Sequence, residues 1–440
     1  ALRTQRQSDF NAINLASGAT RKLANPQGSD RFPLTGTDGY ATRMPKAPTF
    51  RSKTTAAEMG ELYWLALTRD VDFNDYGSNP DIANALTDLN NFTRTVGPKQ
   101  GGKVTFETIF RGETADDLAG DYISQFLIKD VPYGPSLIEQ KYNSNAAGED
   151  FMTDNDTWLT VQNGGVSEIA TVDDGGRRYI HNSRSLGEYV HGDALFQAYF
   201  NASLIMLGSG SPLDNNNPYL ALPNEGAFTS FGGPMIFDLL TQAANLALQG
   251  AWYHKWQVHR RLRPEEFGGR VHHKINNHRN YEISSEILNS AAIAQVYSNT
   301  GSHFLPMAYV EGSPTHPAYP AGHSTVAGAC STVLKALFDE SALISNPEEV
   351  TTGGTVKQAY TGSDTLTVGG EINKLAANIT LGRDAAGVHY RSDGVEGLEV
   401  GEQQAIGLLR DYSITFNEQF EGFQFTKFDG TPVVIRNGRV

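Results

Sequence analysis

The feature that most constrains the fold is a succession of segments with helical periodicity, broken only by short and weak strand patterns. In the first segment, apolar residues recur at helical spacing after Thr55 and Glu58, a pair at capping-box distance. Further helices are predicted over about 81–93, 185–208, 235–262, 282–298, 322–338, 369–386 and 396–414. Alternation around Asp429–Gly430 predicts a small β-hairpin. The sequence therefore predicts a mainly α fold of helical bundles, in two four-helix-bundle-like halves, with minor β-hairpins.

The division into domains follows from length and composition. At 440 residues the chain exceeds the roughly 250–300 residues at which single cores usually stop growing, so two domains are allowed. Residues 1–54 are polar, with scattered Pro and Gly, and are interpreted as an N-terminal arm. We expect residues 55–440 to form one helical domain, because periodic helical segments follow one another throughout it.

Charge and composition exclude several classes of protein. The net charge of −14 makes the chain a poor general binder of nucleic acid or of anionic membranes. No stretch reaches the roughly 18 apolar residues of a membrane span. The chain starts at Ala1 rather than Met, from which we expect export to the periplasm, the cell wall or the exterior. Cys330, the single cysteine, is expected to be a buried small hydrophobe, the alternative being an interchain disulfide.

Three segments carry groups suited to binding an anion. The first, Trp252–Pro264, is a dense cationic run within an acidic chain and contains Lys255 and Arg263. In a helix these two residues would stand roughly 12 Å apart along the axis, close enough for long side chains to meet at one small anion. The alternative is a solvated basic face near a helix C-terminus, which the helix dipole favours.

The second segment, Ser313–Thr325, is rich in proline and leads into an apolar helical run. Gly322 stands where that helix begins, so its backbone can approach a ligand and the free N–H groups can point at an anion. His323, at the same rim, is a candidate general acid or base. The alternative interpretation is an ordinary turn into a helix with a histidine at its edge.

The third segment, Asn378–Asp393, supplies a further cation, Arg383, followed by His389 and Asp393. A histidine that ligates a metal usually has its second ring nitrogen fixed by a carboxylate or carbonyl, and Asp393 stands one helical turn after His389. The alternative is a lone core histidine. Taken together, the segments offer three cations, a helix N-terminus and two histidines in a fixed order, which suits a tetrahedral or trigonal-bipyramidal oxyanion.

In this order and spacing the segments resemble the bipartite signature of vanadium-dependent haloperoxidases and the phosphatidic-acid-phosphatase-like acid phosphatases. Seven residues separate Lys255 from Arg263, as in the algal and bacterial bromoperoxidase branch, whereas the phosphatases typically have six. Runs such as Lys-Trp-Gln-Val-His-Arg and Gly-Val-His-Tyr-Arg also resemble that branch. The resemblance extends over about 185–415, which it implies is the catalytic core.

The resemblance implies a role for each site residue. His389 would bind vanadium, with Asp393 behind it. His323 would hydrogen-bond the apical hydroxide and move protons. The oxygens of vanadate would be neutralised by Lys255, Arg263, Arg383 and the Gly322 N–H. The path by which the halide approaches would be lined by His316, Trp252 and Tyr253.

The implied enzyme is a vanadate-dependent peroxidase that oxidises bromide or iodide with hydrogen peroxide to hypohalous acid, which halogenates small organic compounds. A homodimer or larger homo-oligomer is implied as well. One rival is an acid phosphatase in which His389 is the nucleophile and His323 the leaving-group acid. A second rival is a non-catalytic oxyanion-binding relative, suggested by Ala321, where the family usually has a serine that donates to vanadate. Gly382 is a smaller departure from the family pattern.

Overall fold

A computed structural model describes residue 4 and residues 6–440, and in it the chain is mainly α-helical, as predicted. Three antiparallel two-stranded hairpins are the strand pairs of the described residues. The α-helices are α1 (Gln7–Asn11), α2 (Lys53–Leu67), α3 (Pro80–Leu89), α4 (Gln125–Ile128), α5 (Asn155–Gln162), α6 (Ser183–Gly192), α7 (Gln197–Ser209), α8 (Gly233–Tyr253), α9 (Pro264–Ile275), α10 (Ser285–Leu288), α11 (Ala291–Thr300), α12 (Gly322–Leu337), α13 (Val368–Ala385) and α14 (Arg391–Tyr412). The strands are β1 (Val131–Tyr133), β2 (Ser136–Ile138), β3 (Glu348–Val350), β4 (Lys357–Ala359), β5 (Phe423–Thr426) and β6 (Pro432–Ile435).

Two apolar cores organise these helices. Helices α8, α12, α13 and α14 pack on one another, with α6 and α7 alongside, around a core rich in Leu, Ile, Val and Ala. Helix α2 packs with α3, α9, α10 and α11 around a second core of aromatic and aliphatic residues. Helix α13 contributes to both cores, Val368–Ile379 to the first and Ala385 to the second. The end of α13 therefore lies where the two helical groups meet.

Two of the predicted helices begin at other residues than the sequence indicated. Helix α2 begins at Lys53, and its cap is Ser52, whose hydroxyl accepts from the Thr55 N–H. The helix predicted over 185–208 is two helices, α6 and α7. Asn182 caps α6, with Ser185 completing its capping box, and the chain turns to an extended conformation at Asp193. A short polar side chain that accepts from the first amides decides where a helix starts.

The segment predicted as one helix over 235–262 also differs. Helix α8 ends at Tyr253 and continues as a π-helical turn over His254–His259. Arg260 then has a positive φ of 48°, which breaks the helix before Pro264 begins α9 with proline in its first turn. Arg263 is therefore the N-cap residue of α9 rather than part of the helix that carries Lys255.

Other element boundaries depart less from the prediction. The helix expected over 282–298 is divided into α10 and α11, and the one expected from 396 begins at Arg391. Helix α5 and the hairpins β1–β2 and β3–β4 were not predicted. The predicted C-terminal hairpin is present, with Phe423 paired to Ile435.

Part of the N-terminal arm is hydrogen-bonded to the rest of the chain. Residues 20–25 of the arm lie against the body: Arg21 N–H donates to the Gly164 carbonyl and Ala24 N–H to that of Thr315. Cys330 is buried in the first core and reduced. Among the described residues, no helix is both long and apolar enough to cross a membrane.

Candidate oxyanion-binding site

Three cationic side chains meet where the two cores join, and each is buried without a carboxylate bonded to it in the part of the chain described. Lys255 Nζ donates only to backbone, to the Pro317 carbonyl at 2.6 Å and the Ala318 carbonyl at 2.9 Å. Arg383 donates through one terminal nitrogen to the Val190 carbonyl at 2.6 Å, and its Nε has no partner. Burying a charge is costly unless an opposite charge offsets it.

Arg263, the third cation, links the two histidines of the site. Its terminal nitrogens lie 2.9 Å from His389 Nε2 and 2.9 Å from His316 Nδ1. A guanidinium has donors and no acceptor, so His389 Nε2 carries the lone pair. His316 Nδ1 lies between this donor and an acceptor, the Pro317 carbonyl at 3.2 Å. The remaining contacts of Arg263 are with the His316 and Val388 carbonyls.

His389 is oriented by Asp393, as predicted from their spacing. The His389 Nδ1–H donates to Asp393 Oδ2 at 3.0 Å, and both side chains are buried. Asp393 is itself held by Arg261, at 2.7 Å, and by the Tyr390 N–H, at 3.0 Å. This fixes the tautomer of His389 that presents an unprotonated Nε2 to the three cations.

His323 has a carboxylate partner that the sequence did not reveal. Its Nε2 lies 2.9 Å from Asp193 Oδ1, in the turn between α6 and α7. Because the carboxylate accepts the Nε2 proton, Nδ1 is left to exchange a proton with a ligand. No sequence signal singled out Asp193, because it falls inside the segment that was predicted as one continuous helix over 185–208.

The N-terminus of α12 closes the site on a further side. Gly322 is the first helical residue. The N–H of the preceding residue, Ala321, donates a hydrogen bond to the Asp393 carbonyl at 2.8 Å. The first amides of a helix lack intrahelical acceptors, so they face outward as donors. Ala321 occupies the N-cap and provides no side-chain cap. The Trp252 ring lies over this region, 4.8 Å from that of His316.

Burial and mutual repulsion shift the protonation equilibria of the site. Burial and the charge of Arg263 hold the pKa of Lys255 well below its ordinary value, and burial and Arg383 lower the pKa of Arg263 to about 9. The pKa values of His389 and His316 are held well below 6.5, first by burial and then by these cations. All of these shifts have one sign because burial, and after it the positive charge of the neighbouring cations, disfavours the protonated form of each group. A bound anion would relieve the second cause.

A cavity of about 450 Å³ reaches the site from the surface and is lined by Arg263 and His316 at its inner end. Residues 14–16, 19, 21 and 23 of the arm form part of its wall, and Trp256 forms another part. The Trp256 Nε1–H is buried without a partner. A route for small anions and organic molecules is therefore present beside the histidines.

The structure thus gathers most of the predicted site residues. Those brought together are Lys255, Arg263, Arg383, Gly322, His316, His323, His389, Asp393 and Trp252. For Tyr253 the neighbours that the structure shows are others: its ring lies 5.4 Å from that of His254, and its Cβ lies beside Gly39 of the arm. The helical geometry assumed for Lys255 and Arg263 is also wrong, since a π turn and a bend separate them.

Besides Asp193, sequence reasoning missed the roles of three residues that hydrogen-bond to the site residues or to their partners, namely Tyr309, Arg261 and Glu58. Tyr309 Oη lies 3.3 Å from an Arg383 nitrogen and donates to the Gly187 carbonyl. Arg261 joins Asp393 to Glu58 of α2. Arg261 lay within the basic run, but nothing in the sequence distinguished its role from that of its neighbours.

Comparisons with known proteins agree with this architecture. A family model described as the VCPO second helical-bundle domain matches residues 235–414. The chain is 37% identical to a vanadium-dependent bromoperoxidase of Corallina pilulifera, over 92% of this chain and 78% of that protein. It is 34% identical to one of Ascophyllum nodosum, over 94% of this chain and 77% of that protein. The homohexameric structure of the second vanadate-dependent bromoperoxidase of Ascophyllum nodosum superposes with a TM-score of 0.93, at 29% identity, over 99% of this chain and 80% of that one.

Proposed function

Since this chain belongs to the vanadium-dependent bromoperoxidases, we propose that the pocket of Lys255, Arg263, Arg383 and His389 holds its vanadate. The protein is a vanadate-dependent haloperoxidase, an oxidoreductase that uses hydrogen peroxide and a halide. The halide oxidised is bromide or iodide, and the hypohalous acid that forms halogenates small organic compounds. The comparisons favour this function over the phosphatase.

The observation that carries the assignment of the pocket is its uncompensated positive charge. Lys255, Arg263 and Arg383 are buried, and among the described residues their hydrogen-bond partners are carbonyls, imidazoles and one phenol. The unpartnered Arg383 Nε is a donor that an oxyanion would satisfy. The donor set is therefore chemically suited to vanadate.

The histidines have separate tasks in this proposal. His389 Nε2, which now accepts from Arg263, would be the atom that holds vanadium, and Asp393 keeps the tautomer that leaves this nitrogen unprotonated. His323 holds or moves a proton at Nδ1, with Asp193 fixing its ring. When bound, vanadate supplies a Lewis acid that activates hydrogen peroxide toward the halide.

The cations and the cavity serve the substrates. Halide anions are attracted to the inner end of the cavity by Arg263, although the chain as a whole is acidic. His316 lines the cavity and the Trp252 ring lies 4.8 Å from the His316 ring, so we assign both to the halide approach. We also propose that the protein acts as a homo-oligomer, because the structure of the similar bromoperoxidase is homohexameric. Export stays a prediction.

The test is reconstitution. Purified apo-protein should oxidise bromide or iodide with hydrogen peroxide only after vanadate is added. The bromination of a phenol dye measures the oxidation of bromide. Vanadium should bind at one equivalent per chain. Hydrolysis of a phosphate ester without vanadate, together with no halide oxidation after its addition, would contradict the proposal.

A further inference from the structure

A second cavity is lined by a face of helix α13 that differs from the one carrying Arg383. Its volume is about 230 Å³, and its walls include the apolar side chains of Leu381, Val395 and Phe428. Glu113, Glu399 and Asp429 also line it. Such a combination of apolar walls and acidic groups is typical of a small-molecule site rather than of a packing defect.

One lining residue, Asp384, is a buried carboxylate that makes no hydrogen bond to any residue the structure describes. Asp384 is 1% exposed, and neither Oδ1 nor Oδ2 has a partner. Burial, reinforced by Glu61, raises the pKa of Asp384 well above its ordinary value. A buried polar group without a partner costs free energy, and a charged one costs more.

The nearest cation of the cavity wall cannot satisfy Asp384, because it is already engaged. Arg391 binds both oxygens of Glu61, at 2.5–3.1 Å, and donates to the Arg111 carbonyl at 2.9 Å. Arg261, on the far side, is shared between Glu58 and Asp393. Four buried carboxylates thus share two arginines, and Asp384 is the one without a bonded cation.

We propose that this cavity binds a small organic ammonium ion whose charged nitrogen pairs with Asp384 and whose apolar body contacts Leu381, Val395 and Phe428. An anion is excluded by the acidic lining. A bare metal ion is disfavoured, since the described residues contain no group of three or more His, Cys, Asp or Glu that could hold one. Apolar walls give a metal ion no ligands, whereas they bury the carbon chain of an amine.

The size of the cavity limits the ligand. At about 230 Å³ it falls below the roughly 300–1,000 Å³ of sites for drug-sized molecules, so a short alkyl or benzyl ammonium fits. The site is separate from halide oxidation, although Asp384 follows Arg383 directly in α13. Its test therefore uses vanadate-free protein, and its outcome is independent of the proposed function.

The experiment is isothermal titration calorimetry of full-length apo-protein with n-butylammonium, n-butanol and butyrate as probes. We expect butylammonium to bind at one site at least about tenfold more tightly than butanol, because its charge pairs with Asp384. Butyrate should not bind. Asp384→Asn should abolish the preference for the ammonium, whereas Glu399→Gln, an exposed rim position, should retain most of it.

A second variant covers the case in which Asp384→Asn fails to fold. Val395→Phe fills the cavity from a half-buried position on α14 and should block every probe. Equal binding of butylammonium and butanol would overturn the proposal, as would unchanged ammonium binding by Asp384→Asn or Val395→Phe. Absence of any binding would show that Asp384 holds only a proton or water.

Discussion

Two buried regions on different faces of helix α13 have opposite excesses of charge. The oxyanion pocket holds Lys255, Arg263 and Arg383 without a bonded carboxylate, whereas the network beside it has four carboxylates and two arginines. Arg383 and Asp384 are adjacent in sequence, and each has an unpartnered buried atom. A buried polar group without a partner is destabilising by itself, whether or not it is charged.

The regions differ in how the charges are held. The pocket cations are fixed mostly by backbone carbonyls, which position them without neutralising them. The acids are fixed mostly by arginines, which do neutralise them, and Asp384 is the exception. The pocket is therefore organised to receive a multiply charged anion, whereas the network leaves one carboxylate, that of Asp384, without a cation bonded to it among the described residues.

The largest expected effect comes from removing a pocket cation. Arg383→Met should weaken vanadate binding more than a hundredfold, since breaking a buried charge pair costs about 3–5 kcal/mol. The free energy of unfolding of the apo-protein should not fall comparably, because the lost charge had no counter-ion there. Vanadate titration and chemical denaturation measure the two quantities. Arg410→Met, on the surface of α14, is the control, and a large loss of apo-protein stability would contradict the comparison.

Asp393→Asn tests the connection between the two regions. The amide would place a donor opposite His389 Nδ1 and favour the tautomer with a protonated Nε2. We expect vanadate affinity to fall by roughly 10- to 100-fold, as for other partners of metal-bound histidines. Unlike Arg383→Met, this variant should also lower apo-protein stability, because Arg261 loses a buried partner. Unchanged vanadate affinity would show that Asp393 has no influence on the ligand.

Ala321→Ser should strengthen the pocket. A hydroxyl at the N-cap of α12 can donate to a bound oxyanion, and a hydrogen bond to a charged group contributes about 1.5–3 kcal/mol, or at least about tenfold in affinity. Competition for vanadate between this variant and the natural chain measures the gain. Ala321→Cys, close in size but a weak donor, is the matched control. An equal gain from cysteine would assign the effect to packing.

The smallest expected effect is on the pH dependence of unfolding, and it concerns His191, which contacts Tyr309 beside Arg383. His191 stacks on Tyr309 at 3.8 Å, and the hydrogen bonds that it donates to the carboxylates of Glu188 and Glu311 raise its pKa to about 9. Since this pKa is raised above the ordinary 6.5, the stabilisation is complete below pH 6.5 and is lost as the pH rises to 9. His191 is partly exposed, so at most about 1 kcal/mol is at stake. His191→Gln should flatten the pH dependence of unfolding between pH 6.5 and 9; an unchanged slope would exclude His191 as its source.

The sequence by itself determined the helical class and the chemistry of the oxyanion site. Helical periodicity marked helices such as α12 and α13 to within a residue or two, because burial on one face imposes that repeat. Lys255, Arg263, Arg383 and His389 were recognisable because few side chains can bind an oxyanion. Even Asp393 was predictable, since a helical turn fixes its distance from His389.

Only the tertiary structure decided which distant residues complete these groups. Asp193 meets His323 across 130 positions of the chain, and Glu58 meets Arg261 across 203. The π turn and the bend at Arg260, rather than a continuous helix, bring Arg263 to the histidines and leave Tyr253 against the arm. Such pairings depend on how whole helices pack, and local periodicity carries no information about them. The unpartnered carboxylate of Asp384 is the clearest case, because a missing partner is visible only once every neighbour has been placed.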